Sequence, residues 1–478
     1  MILVTGATGY IGGRLVSRLL SQGLPVRAMA RDARRLPALA AAGAEIVQGD
    51  VLQPESLGAA LAGVSVAYYL IHSMGTGPDF AARDREAAGH FAAACAAAGV
   101  RRIIYLGGLG RPGAELSHHL ASRQEVGAVL RAGPVPVTEL RAAIIVGAGS
   151  ASFEIIHDLA RKLPVMICPR WVRSRCEPIA LDQVLEYLVG VLDEPRTIGE
   201  VLEVGGGEVL TYEEMLRRCA AALGLRLRIL VVPVLTPRLS SYWLNLVTNV
   251  PIGVARPLVE GLRNDVVTTD RRIREWIPVT PLTFRQAVDR ALAEGKEGPL
   301  ASRWTGASGR SRAQSVSKPG HVLYDERTVS ANASPAALFA AVQGIGGATG
   351  WYYADWLWRL RGLIDRLAGG VSMRRGRRDP LAVALGDPID FWRVEEFVPG
   401  KLLRLRAEMK VPGEATLEFH VAGADNGTRA ILTQRATFEP RGAWGLAYWH
   451  GLRPLHSLIF RGMAAGIVRA AEARPESL

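Results

Sequence analysis

The sequence is short of cysteine and lysine, and each scarcity narrows what the chain can be. Its four cysteines, Cys95, Cys168, Cys176 and Cys219, are widely spaced and form no Cys-x-x-Cys pair. Neither a structural zinc site nor a dithiol redox centre is therefore expected, and no metal site is assigned. The thiols read as reduced and mostly buried, which fits a cytoplasmic protein. The chain opens directly on a strand, Ile2-Leu3-Val4, which is not the pattern of a signal peptide. Lysine occurs only as Lys162, Lys296, Lys318, Lys401 and Lys410, so the formal net charge of +12 is carried by arginine. The arginines are scattered, apart from one tight group of Arg374, Arg375, Arg377 and Arg378. With no helix-turn-helix, zinc or RNA-stacking signature beside that charge, no nucleic-acid partner is expected. Also missing are His-Glu-x-x-His, a P-loop lysine pattern and a nucleophile elbow.

Long apolar runs are scarce too. Leu239 to Ala255 holds no charged residue, and Ile229 to Pro237 before it is apolar, but Arg238 separates them. Pro233, Pro237, Pro251 and Gly253 break any continuous helix there. A spanning helix needs about 20 mainly apolar residues, so no transmembrane helix is expected. The readings left for this segment, around Trp243, are a buried helix pair or a peripheral surface facing a membrane or an apolar ligand.

What is present is core material: 49% of the 478 residues are hydrophobic and 21% charged. That length exceeds one core, so two or three domains are expected. From Met1 to about Val146, strands Ile2–Val4, Val26–Ala30, Glu45–Gln48, Val66–Ile71, Ile103–Leu106 and Val137–Leu140 alternate with helical stretches such as Gly12–Gln22 and Ala81–Ala98. Such alternation predicts an α/β fold, a doubly wound parallel Rossmann sheet with right-handed crossovers. Residues 150–295 add a small capping or substrate region, and Thr211 with Glu214 reads as a helix-capping pair. Residues 296–318, rich in Gly, Ser, Arg and Lys, read as a linker. Residues 319–478 read as a separate α+β domain. It has a strand at Val322–Val329, a helix at Ser334–Val342 and a tryptophan-rich helix with Trp351, Trp356 and Trp358. Two hairpins follow, then a final helix from about Leu446 to Ala473, interrupted near Pro454. Asp425-Asn426-Gly427 marks the second hairpin turn. The tryptophans suit core packing better than a pocket lining.

The chemistry concentrates in the first strand–helix junction. Gly6-Ala-Thr8-Gly9-Tyr10-Ile11-Gly12 follows strand one and opens helix one. In that context Gly6 permits the tight turn, Gly9 the close approach of a diphosphate, and Gly12 the packing of helix on strand. The helix N-terminus offers free N–H groups and a favourable dipole. Strand two runs into Ala30-Arg31-Asp32, and an arginine at that place favours NADP(H) over NAD(H). Asp32 is expected to begin the turn. Gly49-Asp50-Val51 ends strand three; Asp50 either accepts from an adenine amino group, with Val51 against the ring, or serves only as a turn acid. Tyr68, Tyr69 and Tyr105 are expected in the core.

These motifs, with Glu177-Pro178-Ile179-Ala180-Leu181-Asp182, resemble the atypical short-chain dehydrogenase/reductase superfamily, nearest to NmrA-like NAD(P)-binding proteins fused to a C-terminal domain of unknown function. The tail resembles a START-like helix-grip domain, which implies an enclosed apolar ligand. The resemblance implies cofactor contacts from the glycine turn, Leu70, Ile71, Gly107 and Arg123. It also implies a serine after strand five and a Tyr-x-x-x-Lys helix motif, and here the sequence departs. Tyr105-Leu106-Gly107-Gly108 carries glycine for serine, and His119-Leu-Ala-Ser122-Arg123 carries histidine for tyrosine and arginine for lysine. Arg123 retains donors for ribose hydroxyls. His119 is expected to supply a proton near neutral pH, with His72 and Ser73, ending strand four, as rival donors. The leading expectation is an NADP(H)-dependent oxidoreductase acting on an apolar carbonyl or enone. Open alternatives are a non-catalytic NADP(H)-binding sensor or structural protein, and an apolar-ligand carrier.

Overall fold

The computed structural model describes residues 1–72, 80–110, 116–232, 264–295, 322–425 and 428–473, together with Thr248, Val250, Leu258, 260–262, Ser302 and Trp304. Two compact units divide the chain, Met1–Ala307 and Ser308–Leu478.

In the first unit seven strands form one sheet: β1 (Ile2–Val4), β2 (Val26–Ala30), β3 (Glu45–Gln48), β4 (Val66–Tyr69), β5 (Arg102–Gly108), β6 (Val137–Ala142) and β7 (Val201–Val204). Their order is β3-β2-β1-β4-β5-β6-β7, and every pairing is parallel. Helices on both faces explain why β1 and β5 are buried along their whole length. The chain runs outward from β1 to β3 and then returns to β4 on the other side. That reversal opens a crevice at the carboxyl ends of β1 and β4, where ligands of such sheets bind.

Strands β1, β2 and β3 have the bounds of the sequence reading, β5 and β6 run two residues beyond the expected Leu106 and Leu140, and β4 stops at Tyr69 rather than Ile71. The reason for the early stop is local. Thr5 Oγ1 donates to the Tyr68 carbonyl at 2.9 Å and accepts from the Leu70 amide at 3.2 Å. Leu70 N–H is thus withdrawn from the ladder, and beyond the strand end Leu70 and Ile71 are half-buried and His72 is exposed. Tyr68, Tyr69 and Tyr105 are core residues, with the Tyr68 hydroxyl donating to the Leu188 carbonyl at 2.6 Å.

The rest of this unit is stapled by buried polar groups. The Glu177 carboxylate, fully buried, accepts from Arg274 at 2.5 Å, from the Gly207 amide at 3.1 Å and from Thr268. Helix Tyr212–Ala222 begins as expected: the Glu214 amide donates to Thr211 Oγ1 at 3.2 Å, and Glu214 Oε2 accepts from the Thr211 amide at 2.7 Å. Thr211→Ala removes the hydroxyl that accepts from the Glu214 amide while leaving the residue-211 amide bonded to Glu214, and should lower unfolding stability by about 1 kcal/mol, read as a lowered urea midpoint with unchanged slope. Two residues from the stretch read as linker lie on this unit. Ser302 Oγ donates to the Tyr10 carbonyl at 2.7 Å, and Trp304 Nε1 to Glu154 at 2.7 Å. Low-complexity composition conceals such anchors, because each needs only one side chain.

The second unit is a six-stranded antiparallel sheet. In spatial order its strands are Leu323–Ala331, Arg429–Pro440, Gly413–Ala424, Leu402–Ala407, Trp392–Val398 and Pro388–Ile389. Helix Pro335–Gln343, capped by Ser334, and the long helix Gly442–Glu472 share its core. The long helix runs unbroken through Pro454, contrary to the expected interruption. The ring lies on the exposed side, so the missing N–H leaves a carbonyl that water can satisfy. Trp351 precedes the tryptophan helix rather than belonging to it; that helix is Asp355–Leu367, and Asp355 accepts from the Trp351 amide at 2.7 Å. Trp351, Trp358, Phe391 and Trp392 stack in the core, whereas Trp356 is 66% exposed. Asn426 and Gly427 of the hairpin turn lie outside the described residues. Among the described residues no helix is long and apolar enough to cross a membrane.

Candidate active site

At the switch point the glycines are sterically required. Gly6 has φ +68°, and a Cβ there would stand 2.6 Å from the Leu70 carbonyl oxygen. A Cβ on Gly12 would stand 2.2 Å from the Gly6 carbonyl oxygen. The Gly9 amide closes the turn on the Gly6 carbonyl at 2.8 Å. Helix α1 (Tyr10–Ser21) then starts from Gly9 with no side-chain cap and no acidic residue in its first turn. Its leading amides therefore face the crevice for a ligand, and an anion meets no repulsion there. Gly6, Thr8, Gly9, Tyr10 and Ile11 keep accessible surface, while Gly12 is buried. The Tyr10 ring lies under the Arg14 guanidinium at 5.1 Å, and its buried hydroxyl has no hydrogen-bond partner among the described residues. Burial pushes that phenol above its ordinary range.

At the end of β2, Arg31 is exposed. Asp32 caps the turn Ala33–Arg35, as expected, and accepts from Arg34 three times, at 3.1 Å from the amide, 3.0 Å from Nε and 2.9 Å from Nη2. The hydrogen bond from the Arg34 guanidinium holds the Asp32 carboxyl below the usual carboxylate range. The sequence reading missed Arg34, although the run Arg31-Asp32-Ala33-Arg34-Arg35 was there to find it. At the end of β3, Asp50 Oδ1 accepts from the Leu52 amide at 3.1 Å, so the turn role is present. Val51 is buried in the same cluster as Leu57, Tyr69 and Phe91.

The opposite end of the crevice is built on β5 and helix α2 (His118–Arg131). A Cβ on Gly107 would meet Glu139 Oε1 at 3.0 Å; one on Gly108 would meet Leu120 Cδ2 at 2.9 Å and Arg123 Cδ at 3.3 Å. Glycine therefore lets the Arg123 side chain lie across the strand end. Arg123 Nη2 donates to the Leu106 carbonyl, and the Tyr105 hydroxyl donates to the Arg123 carbonyl at 2.9 Å. Arg123 Nε is buried and has no hydrogen-bond partner among the described residues.

Two residues far apart in sequence meet beside this arginine. The His72 and His119 rings lie edge to face with centroids 6.2 Å apart. His72 is exposed where β4 ends, and His119 is half-buried on α2. Burial first, and the Arg123 charge second, push His72 down to about 3. Burial, Arg123 and then His72 push His119 down to about 3 as well. Both imidazoles are therefore neutral at pH 7. A neutral imidazole at His119 offers an N–H rather than an acidic proton. Ser73 and Trp243 lie outside the described residues.

A parallel sheet of this order, with an uncapped glycine turn at its switch point, defines a dinucleotide-binding Rossmann protein. Residues 6–143 match a family described as NAD(P)H-binding, and residues 318–463 one described as a protein of unknown function, DUF2867. A (4-alkanoyl-5-oxo-2,5-dihydrofuran-3-yl)methyl phosphate reductase from Streptomyces griseus is 31% identical over 236 residues, which is 48% of this chain and 76% of the relative. A ceramide reductase from Caulobacter vibrioides is 28% identical over 295 residues, covering 58% of this chain and 89% of the relative. The NADPH-dependent quinone oxidoreductase of Escherichia coli complexed with NADPH superposes with a TM-score of 0.51 at 21% identity, over 61% of this chain and 100% of that one; the likeness is one of fold. The first unit belongs to the NAD(P)H-binding family that residues 6–143 match and shares ancestry with the Streptomyces griseus reductase, and a DUF2867 domain follows it.

Proposed function

We propose that the first unit is an NADPH-dependent reductase acting on a small apolar carbonyl or enone. The observation that carries this reading is the meeting of His72, His119 and Arg123 at the carboxyl end of the sheet that also carries the glycine turn. The residues fit a nicotinamide dinucleotide. The α1 amides and the glycine cradle suit a diphosphate, and the unpartnered Arg123 Nε suits a ribose hydroxyl. When bound, the cofactor supplies the hydride. The protein binds, orients and polarises. Leu70, Ile71 and Gly107 line the path between the two ends, and Asp50 is assigned to the adenine edge. The neutral imidazole N–H groups hydrogen-bond to the substrate oxygen, the fixed charge of Arg123 stabilises the oxyanion that hydride addition would leave, and solvent supplies the proton that completes the reduction. Reductase relatives in Streptomyces griseus and Caulobacter vibrioides support the reaction class.

For the adenosine end we assign Arg31 to the 2′-phosphate of NADP(H). Arg34 supports this assignment, because its fork engages the one carboxylate that would repel that phosphate. Arg31→Ala should weaken NADPH binding by about tenfold to a hundredfold while leaving NADH unchanged, in paired fluorescence titrations. Equal losses for both cofactors would remove Arg31 from that role. The reaction itself is tested by NADPH oxidation across a panel of aliphatic ketones, quinones and enones. Turnover is expected with the more apolar members; tight NADPH binding without turnover on any would leave a cofactor-binding protein that does no chemistry.

A further inference from the structure

We propose that the DUF2867 unit docks on an anionic lipid surface through helix Asp355–Leu367. This helix is apolar on the side that faces away from its own domain. Its inner side is clamped: Trp358 stacks on Trp351 with centroids 4.8 Å apart, and Asp365 accepts from the Ser372 amide at 2.7 Å and the Lys410 amide at 2.6 Å. Its outer side exposes Trp356, Leu360, Leu363, Ile364 and Leu367, the last 74% exposed. At 3.6 residues per turn these five fall within an arc of about 100°, opposite the buried Trp358, Gly362 and Asp365.

A single exposed leucine is ordinary, but a continuous stripe of this kind marks a contact surface. The charges beside it identify the partner. Exposed Arg359 and half-buried Arg366 flank one edge of the stripe; Arg361, at the other edge, is held to the domain by its 2.8 Å hydrogen bond to the Lys410 carbonyl, and both acidic residues of the helix, Asp355 and Asp365, also lie toward the domain. Apolar residues with a guanidinium rim are the pattern of a helix lying in the plane of a bilayer interface. Leucine and tryptophan enter the acyl boundary while arginines meet lipid phosphates. The chain's net charge of +12 adds long-range attraction to the same surface. This helix is distinct from the apolar segment 239–255, and the inference does not depend on the proposed reductase activity.

The test is flotation of the full chain with vesicles of phosphatidylcholine alone and of phosphatidylcholine mixed with phosphatidylglycerol. The wild type should float with the mixed vesicles, weakly or not at all with pure phosphatidylcholine, and less as salt is raised. Leu363→Glu combined with Leu367→Glu should lower partitioning at least about tenfold, because it places two charges in the acyl boundary. NADPH titration should be unchanged, showing the first unit intact. Should that double variant misfold, Arg359→Glu decides, since its exposed side chain carries no core contact; it should lower binding to mixed vesicles several-fold. The proposal is overturned by no flotation of the wild type, by equal flotation of wild type and variants, or by a wild-type dimer that the same substitutions dissociate. The last outcome would assign the face to a second copy of the chain.

Discussion

Gly12→Val should abolish NADPH binding, with affinity falling more than about a hundredfold, and should lower stability by about 2–4 kcal/mol. The first atom beyond Cα already decides this. A Cβ at residue 12 would stand 2.2 Å from the Gly6 oxygen, 2.7 Å from the Gly6 carbon and 3.1 Å from the Ala7 Cα. All three are backbone atoms, so no side chain can rotate away; α1 must lift from β1. Lifting it removes both the amides aimed at the diphosphate and the packing beneath them. Gly58→Ala is the matched control. It lies in helix Leu57–Leu61, where a Cβ meets nothing within 4 Å, so binding should be untouched and stability unchanged or raised by up to ~1 kcal/mol. Calorimetric titration and thermal unfolding of both variants check the pair. Wild-type affinity in Gly12→Val would mean that the cofactor lies elsewhere.

Arg123→Met should cost about a hundredfold to a thousandfold in kcat/KM, chiefly through kcat, because it removes the only fixed charge assigned to the developing oxyanion. Arg123→Lys should recover part of the loss. It keeps the charge but cannot both hold the Leu106 carbonyl and present a second planar N–H. Arg123→Met also has a signature in pH. His72 and His119 have folded values of about 3 against an ordinary 6.5. The unfolded chain therefore takes up protons that the folded chain refuses, so stability is fully present above pH 6.5 and is lost as pH falls toward 3. Removing Arg123 lifts one of the causes of those depressions, so both imidazoles should titrate higher and the loss between pH 6.5 and 4 should be shallower. Histidine NMR titration and urea midpoints across that range read it directly. A steeper loss in the variant would contradict the electrostatic account.

The features legible in the sequence were those fixed by local steric rules. The glycine turn, the six strands from Ile2 to Leu140 and the capping pair Thr211–Glu214 each depend on residues a few places apart, and the structure has them where spacing put them. What escaped depends on a distant side chain claiming a backbone or charged group. Thr5 takes the Leu70 amide and ends β4 early; Arg34 takes Asp32; Ser302 and Trp304 settle on the first unit. His72 and His119 lie on different elements, so the sequence presents them as rivals, and the β4–β5 pairing brings those elements together. Their neutrality was hidden for the same reason, since it comes from burial and from Arg123 rather than from any neighbour in sequence. In the second unit, alternation revealed the hairpins, but the outward stripe of helix Asp355–Leu367 could not be told from a core-facing one until the packed side was known.

The most direct measurement is isothermal titration of the full chain with NADPH and with NADH at pH 7. The account predicts one NADPH bound per chain, tighter than NADH, with the heat lost in Gly12→Val and the preference lost in Arg31→Ala. No heat with either nucleotide on folded protein would contradict it outright.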